Sequence, residues 1–148
     1  MRLTVRPGYQ MTAKQYLCGL TRINRQLAIL NEEIEVRRAS LTSITAPLTG
    51  DRVQTSTKGD KFATMIAALA DKEIEQAELV GIYQEMRDKI VDQILKLDDE
   101  LFRDILYERY VRGLDWNTIA ANLYYNKKYL FKVHTKALAA FAEKYDLR

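Results

Sequence analysis

Apolar residues return at alternating intervals of four and three through much of this chain. From Thr12 to about Ala39 they fall at Tyr16, Leu20, Ile23, Leu27, Leu30 and Ile34. The series runs on to Leu41 with only Arg37 out of type. That heptad seam predicts one long helix with Thr12 as its N-cap. Its 28 residues would span roughly 42 Å. A lone helix cannot bury such a seam, so a partner is expected. From Lys61 to about Leu97 a second stripe supplies it, through Phe62, Ile66, Leu69, Val80, Tyr83, Ile90, Ile94 and Leu97. Glu73, Gln76 and Arg87 interrupt this stripe, and Ile74 and Ala77 add apolar surface beside it. Gly81 is a weak point, costing about 1 kcal/mol relative to Ala. The expected pairing is a long antiparallel hairpin.

Residues 40–60 read as its connector, rich in Ser, Thr, Gly and Asp and containing Pro47. Helix-helix connections usually take about 2–8 residues, so this one is long. Its Ile44, Leu48 and Val53 are expected to pack onto the helix ends. A contact surface using Arg52 and Lys58 is the alternative. Ahead of Thr12 there is no period and Pro7-Gly8 breaks helix, so residues 1–11 are expected to form a weakly ordered extension.

After the acidic boundary Asp98-Asp99-Glu100, residues 98–148 predict three shorter amphipathic helices. The first runs from Leu101 to Arg112 and carries Leu101, Ile105, Leu106, Tyr110 and Val111. Gly113 follows, where a helix end wants positive φ. The second starts at the N-cap Asp115 and carries Trp116, Ile119, Ala120 and Leu123. The third starts after the N-cap Asn126, with Leu130, Val133, Ala137 and Leu138 at helical spacing; Phe141 and Tyr145 continue that face. Only Tyr124 to Asn126 separate the last two helices, the length of the turn in a helix-turn-helix. Ala120 and Ala121 are small enough for a close crossing. Between Asn126 and Ala137 stand four lysines and no acid. A helix with one face in a core and the other basic suits the DNA major groove.

Those residues carry a resemblance. Arg109, Gly113, Leu114, Trp116, Ile119, Ala120 and Leu123, then Asn126, Lys127, Lys128, Leu130, Phe131, Lys132, Val133, His134, Lys136, Ala137 and Leu138, resemble region 4 of bacterial sigma factors. The pattern is more closely similar to the sigma-region-4-like domain of small phage regulators. Those are the ArpU- and RinA-type late transcription regulators and a phage family with a long helical N-terminal half. The connector, with Ser43 to Pro47 and Gly50 to Gln54, resembles the equivalent loop of that last family. Two positions depart from the pattern. Tyr124 stands where the family usually has Gly, and Asn126 where it often has Ser; the second change keeps the cap. The resemblance implies an all-α protein with a helical hairpin, containing coiled-coil pairing, followed by a helix-turn-helix of sigma-region-4 type. It implies sequence-specific binding of double-stranded DNA in transcription control, in the cytoplasm of a bacterium or phage-infected host cell. The interrupted seam of the hairpin leaves room for a second copy of the chain or for contact with RNA polymerase.

Charge sharpens that picture. The net +3 of the 148 residues is unevenly spread. Residues 61–100 hold five basic and ten acidic side chains, whereas residues 101–148 hold nine and five. A basic terminal module beside an acidic helix fits DNA binding by the module alone. The alternative is that the charges only solvate helix faces. The hydrophobic fraction of 47% suffices for a packed core. The single cysteine, Cys18, cannot form an internal disulfide and reads as intracellular. One Cys and one His build no ordinary zinc site within one chain, and no apolar run is long enough to span a membrane.

The expected DNA-binding residues are Asn117, Thr118, Tyr125, Asn126, Lys127, Lys128, Phe131, Lys132, Thr135 and Lys136. The lysines supply phosphate attraction. Base discrimination would fall to Lys127, Lys128, Phe131 and Lys132. Tyr124 and Tyr125 at the turn, with Asn117 and Thr118 at the second helix, are placed to donate to phosphates. Phe131 has two readings, contact with a thymine methyl or packing on Tyr129 and its surroundings. Trp116 and the lone His134 are expected in the helical core. No catalytic residue, metal ligand or cofactor is expected, since no acidic pair has a nucleophile or second histidine to work with. Two other functions stay open: a small terminase-like packaging protein, which would form a large ring, and a helical protein-interaction scaffold.

Overall fold

The computed structural model describes residues 11–45 and 56–147, and within them the chain is all-helical. In order come α1 (Ala13–Thr45), α2 (Ser56–Leu95), α3 (Glu100–Leu106), a π-helical turn (Tyr107–Val111), α4 (Trp116–Leu123) and α5 (Lys127–Tyr145). The readings placed on residues 1–10, and on Pro47, Leu48, Arg52 and Val53, lie outside the described residues.

Thr12 caps α1 as its sequence suggests. Its Oγ1 accepts from the Gln15 N–H at 3.2 Å, while Gln15 Oε1 accepts from the Thr12 N–H at 3.0 Å. This reciprocal pair satisfies two donors that the first turn leaves free. Both long helices encroach on the expected connector, α1 ending at Thr45 and α2 beginning at Ser56. Of the Ser and Thr residues that suggested a loop, Ser40, Thr42 and Ser43 sit in helix with their hydroxyls turned onto carbonyls of the turn before. Ser40 bonds Val36 O and Thr42 bonds Arg38 O. This local bond makes helix tolerable for residues that otherwise favour turns. α2 passes through Gly81 as continuous helix.

The described chain falls into two compact units, one of residues Ile23–Tyr83 and the other of the segments on either side. In the first unit α1 and α2 run antiparallel. Arg38 pairs with Glu73 at 2.7 Å, and the Gln76 amide donates to Asn31. Half-buried residues of α2 here recur at Phe62, Met65, Leu69, Lys72, Gln76, Leu79 and Tyr83, with Glu73 and Gly81 half-buried beside them. The recurring set follows intervals of three and four, and it differs from the expected stripe. Met65 and Leu79 face inward, while Ile66 and Val80, one residue further on, face water. A register choice of one residue turns a helix by about 100°, and intervals of four and three from Phe62 select the methionine. On α1, Leu27, Leu30 and Ile34 are buried as expected, and Arg37 pairs within its own helix with Glu33.

The second unit holds the larger core. Leu17, Leu20, Ile90, Ile94, Ile105, Leu106, Ile119, Leu130 and Phe141 are all essentially inaccessible. The expected boundary at Asp98 falls inside this unit, because the ends of both long helices share contacts with α5. Tyr145 donates to Gln93 O at 2.8 Å, and Lys144 donates to Lys96 O at 2.6 Å. Tyr16 reaches Gln93 Oε1 at 2.8 Å and sets its ring 6.1 Å from that of Phe141. Leu17 is buried beside the predicted Tyr16 because α1 has neighbours on more than one side here. Arg103 Nη1 donates to Leu97 O at 2.7 Å, satisfying a carbonyl at the end of α2. The expected helix Leu101–Arg112 is not uniform. After Leu106 it widens into the π turn, where the Arg112 N–H bonds Tyr107 O, five residues back.

Phe141 has the largest of these inaccessible side chains. Phe141→Ala is expected to cost about 3–5 kcal/mol, read as a lower urea midpoint with unchanged slope. Ile74→Ala, at a mainly exposed position, should stay within about 0.5 kcal/mol of the parent.

Candidate nucleic-acid interface

Two well-capped helices and the turn between them build the candidate surface. Asp115 caps α4, its Oδ1 accepting from the N–H groups of Asn117 and Thr118 at 2.8 and 3.0 Å. Its other oxygen accepts from the Thr118 hydroxyl at 2.9 Å. These bonds, led by those from Thr118, hold the Asp115 carboxyl below the usual carboxylate range. Asn126 caps α5 through its side chain, which accepts from the Tyr129 N–H at 2.8 Å. Between them Tyr124 takes left-handed backbone, φ 59° and ψ 34°, and its N–H closes α4 on Ala120 O. That conformation favours glycine, which has no Cβ to strain it. The ring stands 94% exposed.

The inner face of α5 is Leu130, Val133, Ala137 and Phe141, all buried. At about 100° per residue the side chains of Lys127, Phe131, Thr135, Lys128, Lys132 and Lys136 fan, in that order, across about 180° of the opposite side. All six are exposed. None of the four lysines forms an ion pair among the described residues. Ten residues were expected at the interface, and the structure ties several of them together. Lys127 Nζ donates to Asn117 Oδ1 at 2.9 Å, joining the start of α5 to the start of α4. The Thr118 hydroxyl donates to the Asp115 cap, the Asn126 side chain is itself the cap of α5, and the Thr135 hydroxyl bonds Phe131 O within its helix. Tyr125 lies against Tyr129, ring centroids 5.3 Å apart. Phe131 packs edge-on to Trp116 at 5.0 Å, and not on Tyr129. Ala120 is half buried, whereas Ala121 faces water and takes no part in the crossing.

Trp116 is half buried at the centre of an aromatic cluster. Arg109 lies 5.2 Å over its ring and donates to Leu114 O at 2.8 Å. His134 meets the indole at 4.8 Å in a T-shaped contact. The imidazole Nε2 also lies 2.9 Å from the Tyr110 hydroxyl. Burial, with Lys14 and Arg109 adding positive charge, pushes His134 down to about 4. Burial likewise pushes the Tyr110 phenol up to about 12. Both are neutral at pH 7, so the bond is between uncharged partners. Arg109 and Tyr129 were absent from the expected set. Their signals were the spacing of Arg109 from Trp116 and the i,i+4 spacing of Tyr125 and Tyr129.

Among the described residues no group of three or more His, Cys, Asp or Glu is placed to hold a metal. No helix there is long and apolar enough to cross a membrane.

Two outcomes are expected from this geometry. A histidine whose folded value lies below 6.5 binds its proton more readily in the unfolded chain. Its contribution is therefore complete above pH 6.5 and is lost as pH falls through about 4. After allowing for solvent screening of a half-exposed ring, the loss is about 1–2 kcal/mol. Melting temperatures from pH 7 to pH 4.5 should show it, and His134→Gln should flatten the dependence. Separately, Tyr124→Gly is expected to raise stability by about 0.5–1 kcal/mol by relieving left-handed strain. A lower urea midpoint would mean instead that the tyrosine side chain stabilises the turn. Comparison with family models, with curated proteins and with solved structures finds no match to this chain.

Proposed function

We propose that this chain binds double-stranded DNA in a sequence-specific manner and regulates transcription for a phage or prophage. In this reading α4 and α5 act as a helix-turn-helix of the sigma-region-4 type, and α5 lies in the major groove. The observation that carries it is the lysine arc of α5. Four ammonium groups without ion pairs share one exposed side, and the helix behind them is fixed by a fully buried stripe. No acid occurs between Asp115 and Glu143 to oppose a phosphate backbone. The bond from Lys127 to Asn117 supports the reading further. It sets the starts of α4 and α5 side by side, as a surface contacting neighbouring phosphates requires. Lys127, Lys128 and Phe131, in the first turns of α5, are the base-facing candidates, and Lys132 and Lys136 the phosphate-facing ones. RNA polymerase, or a second copy of the chain, is the partner for which the interrupted seam of the hairpin leaves room.

The test is binding of the whole chain to duplex fragments of the DNA flanking its own coding sequence, across a salt series. One fragment should bind far tighter than the rest. With Lys132 and Lys136 on phosphates, log affinity should fall against log salt with a slope of roughly −2. Lys127→Glu with Lys128→Glu should abolish the preference while leaving the fold intact by circular dichroism. Equal weak binding to every fragment, or binding indifferent to that double change, would overturn the proposal.

A further inference from the structure

Three aromatic rings stand in water where α4 gives way to α5. Tyr124 is 94% exposed, Tyr125 44% and Tyr129 45%. The rings of Tyr125 and Tyr129 lie 5.3 Å apart and tilted by 33°, so they present a joined surface. Tyr124 holds left-handed backbone while its ring stays uncovered. A residue kept in a costly conformation with its side chain in water points to a task outside folding. Around α5, at about 100° per residue, Tyr129 lies about 60° from Lys132 and about 20° from Lys136. The two ammonium groups therefore share the side of the helix that carries the tyrosine pair. Neither forms an ion pair among the described residues. No acid occurs between Asp115 and Glu143 to neutralise them.

Those two features together select one kind of ligand. Unpaired positive charge calls for an anion, and open aromatic rings call for flat π faces to stack on. A nucleic-acid strand alternates phosphates with such faces. A duplex keeps its base faces inside the stack and offers only edges and phosphates to a protein. Bases lie on tyrosine rings only where they are unpaired. We propose that Tyr125 and Tyr129, extended by Tyr124, form a stacking site for the unpaired bases of single-stranded DNA, with Lys132 and Lys136 on its phosphates. The choice of DNA over RNA rests on the duplex reading above; the stacking does not. The site borders the Lys136 edge of the lysine arc, and Lys127 and Phe131 stand at the other edge. Such a site holds one strand where a duplex has opened.

The probes are a fluorescein-labelled oligo(deoxyuridine) and an abasic strand of the same length, which keeps every phosphate and lacks the bases. Fluorescence anisotropy with the whole chain should show the abasic strand binding at least about five-fold more weakly, the loss of one stacked base. Tyr125→Leu with Tyr129→Leu should bring a similar loss on the base-bearing strand and none on the abasic one, at unchanged helix content. Tyr125→Phe with Tyr129→Phe keeps the rings, removes the hydroxyls and should bind as the parent does. Tyr124→Gly should weaken the base-bearing strand although it is expected to raise stability. Lys132→Gln with Lys136→Gln should weaken both strands alike. Equal affinity for the two strands would overturn the proposal. A loss in the Phe variant as large as in the Leu variant would do the same, since the tyrosines would then act as hydroxyl donors. Oligo(uridine) binding tighter than oligo(deoxyuridine) would overturn it in favour of RNA. So would a concentration-dependent dimer by light scattering that the Leu change dissolves, a second copy then covering the rings. A preference among duplex fragments is compatible with each of these failures, so the two proposals fail separately.

Discussion

The candidate interface depends on the burial of one stripe of α5. Leu130, Val133, Ala137 and Phe141 are held against the core to which α3 contributes Ile105 and Leu106. Withdrawing four such side chains from water is worth several kcal/mol, since each large one contributes about 1.5–3. No surface contact of the lysines approaches that. The inward stripe therefore sets the rotation of the helix, and the rotation sends Lys127, Lys128, Lys132 and Lys136 outward together. The clustering of like charge follows from core packing, and in the free chain it works mildly against stability.

The ends of the helices are specified by a different kind of interaction. Asp115, Asn126 and Thr12 each place a side-chain oxygen on backbone N–H groups that a first helical turn leaves unpaired. Gly113 and Tyr124 both take positive φ where a helix has to stop. Gly113 does so freely, while Tyr124 bears the cost of its Cβ. The turn thus keeps the geometry that short connections between crossing helices need, with a strained residue at its most exposed point.

The unit of residues 23–83 follows another logic. Its seam carries Lys72 and Gln76 where apolar residues would be usual, and these polar groups find partners at hand: Gln76 on Asn31 and Lys72 on Glu75. Meanwhile Ile29, Val36, Ile74 and Ile82 face water. A helix pair whose half-buried seam holds polar groups while aliphatic groups face water gains less from its own pairing than its composition allows.

Much of this was determined by the sequence alone. Periods of three and four set the helices, and the side chains of Thr12, Asp115 and Asn126, with Gly113, set ends that the structure places at or near those residues. These are local effects, carried by neighbours within a turn, so they can be read from order along the chain. The inward stripe of α5 and the lysine arc opposite it belong to the same class. Tertiary structure decided the rest. It chose Met65 over Ile66 and Leu79 over Val80, because a one-residue change of register is settled only by the helix opposite. It turned Phe131 onto Trp116 and set His134 beside Tyr110, contacts between residues far apart in the chain. It carried helix into Ser- and Thr-rich segments whose composition suggested a loop, because hydroxyls that favour turns in isolation can bond carbonyls once a helix is in place.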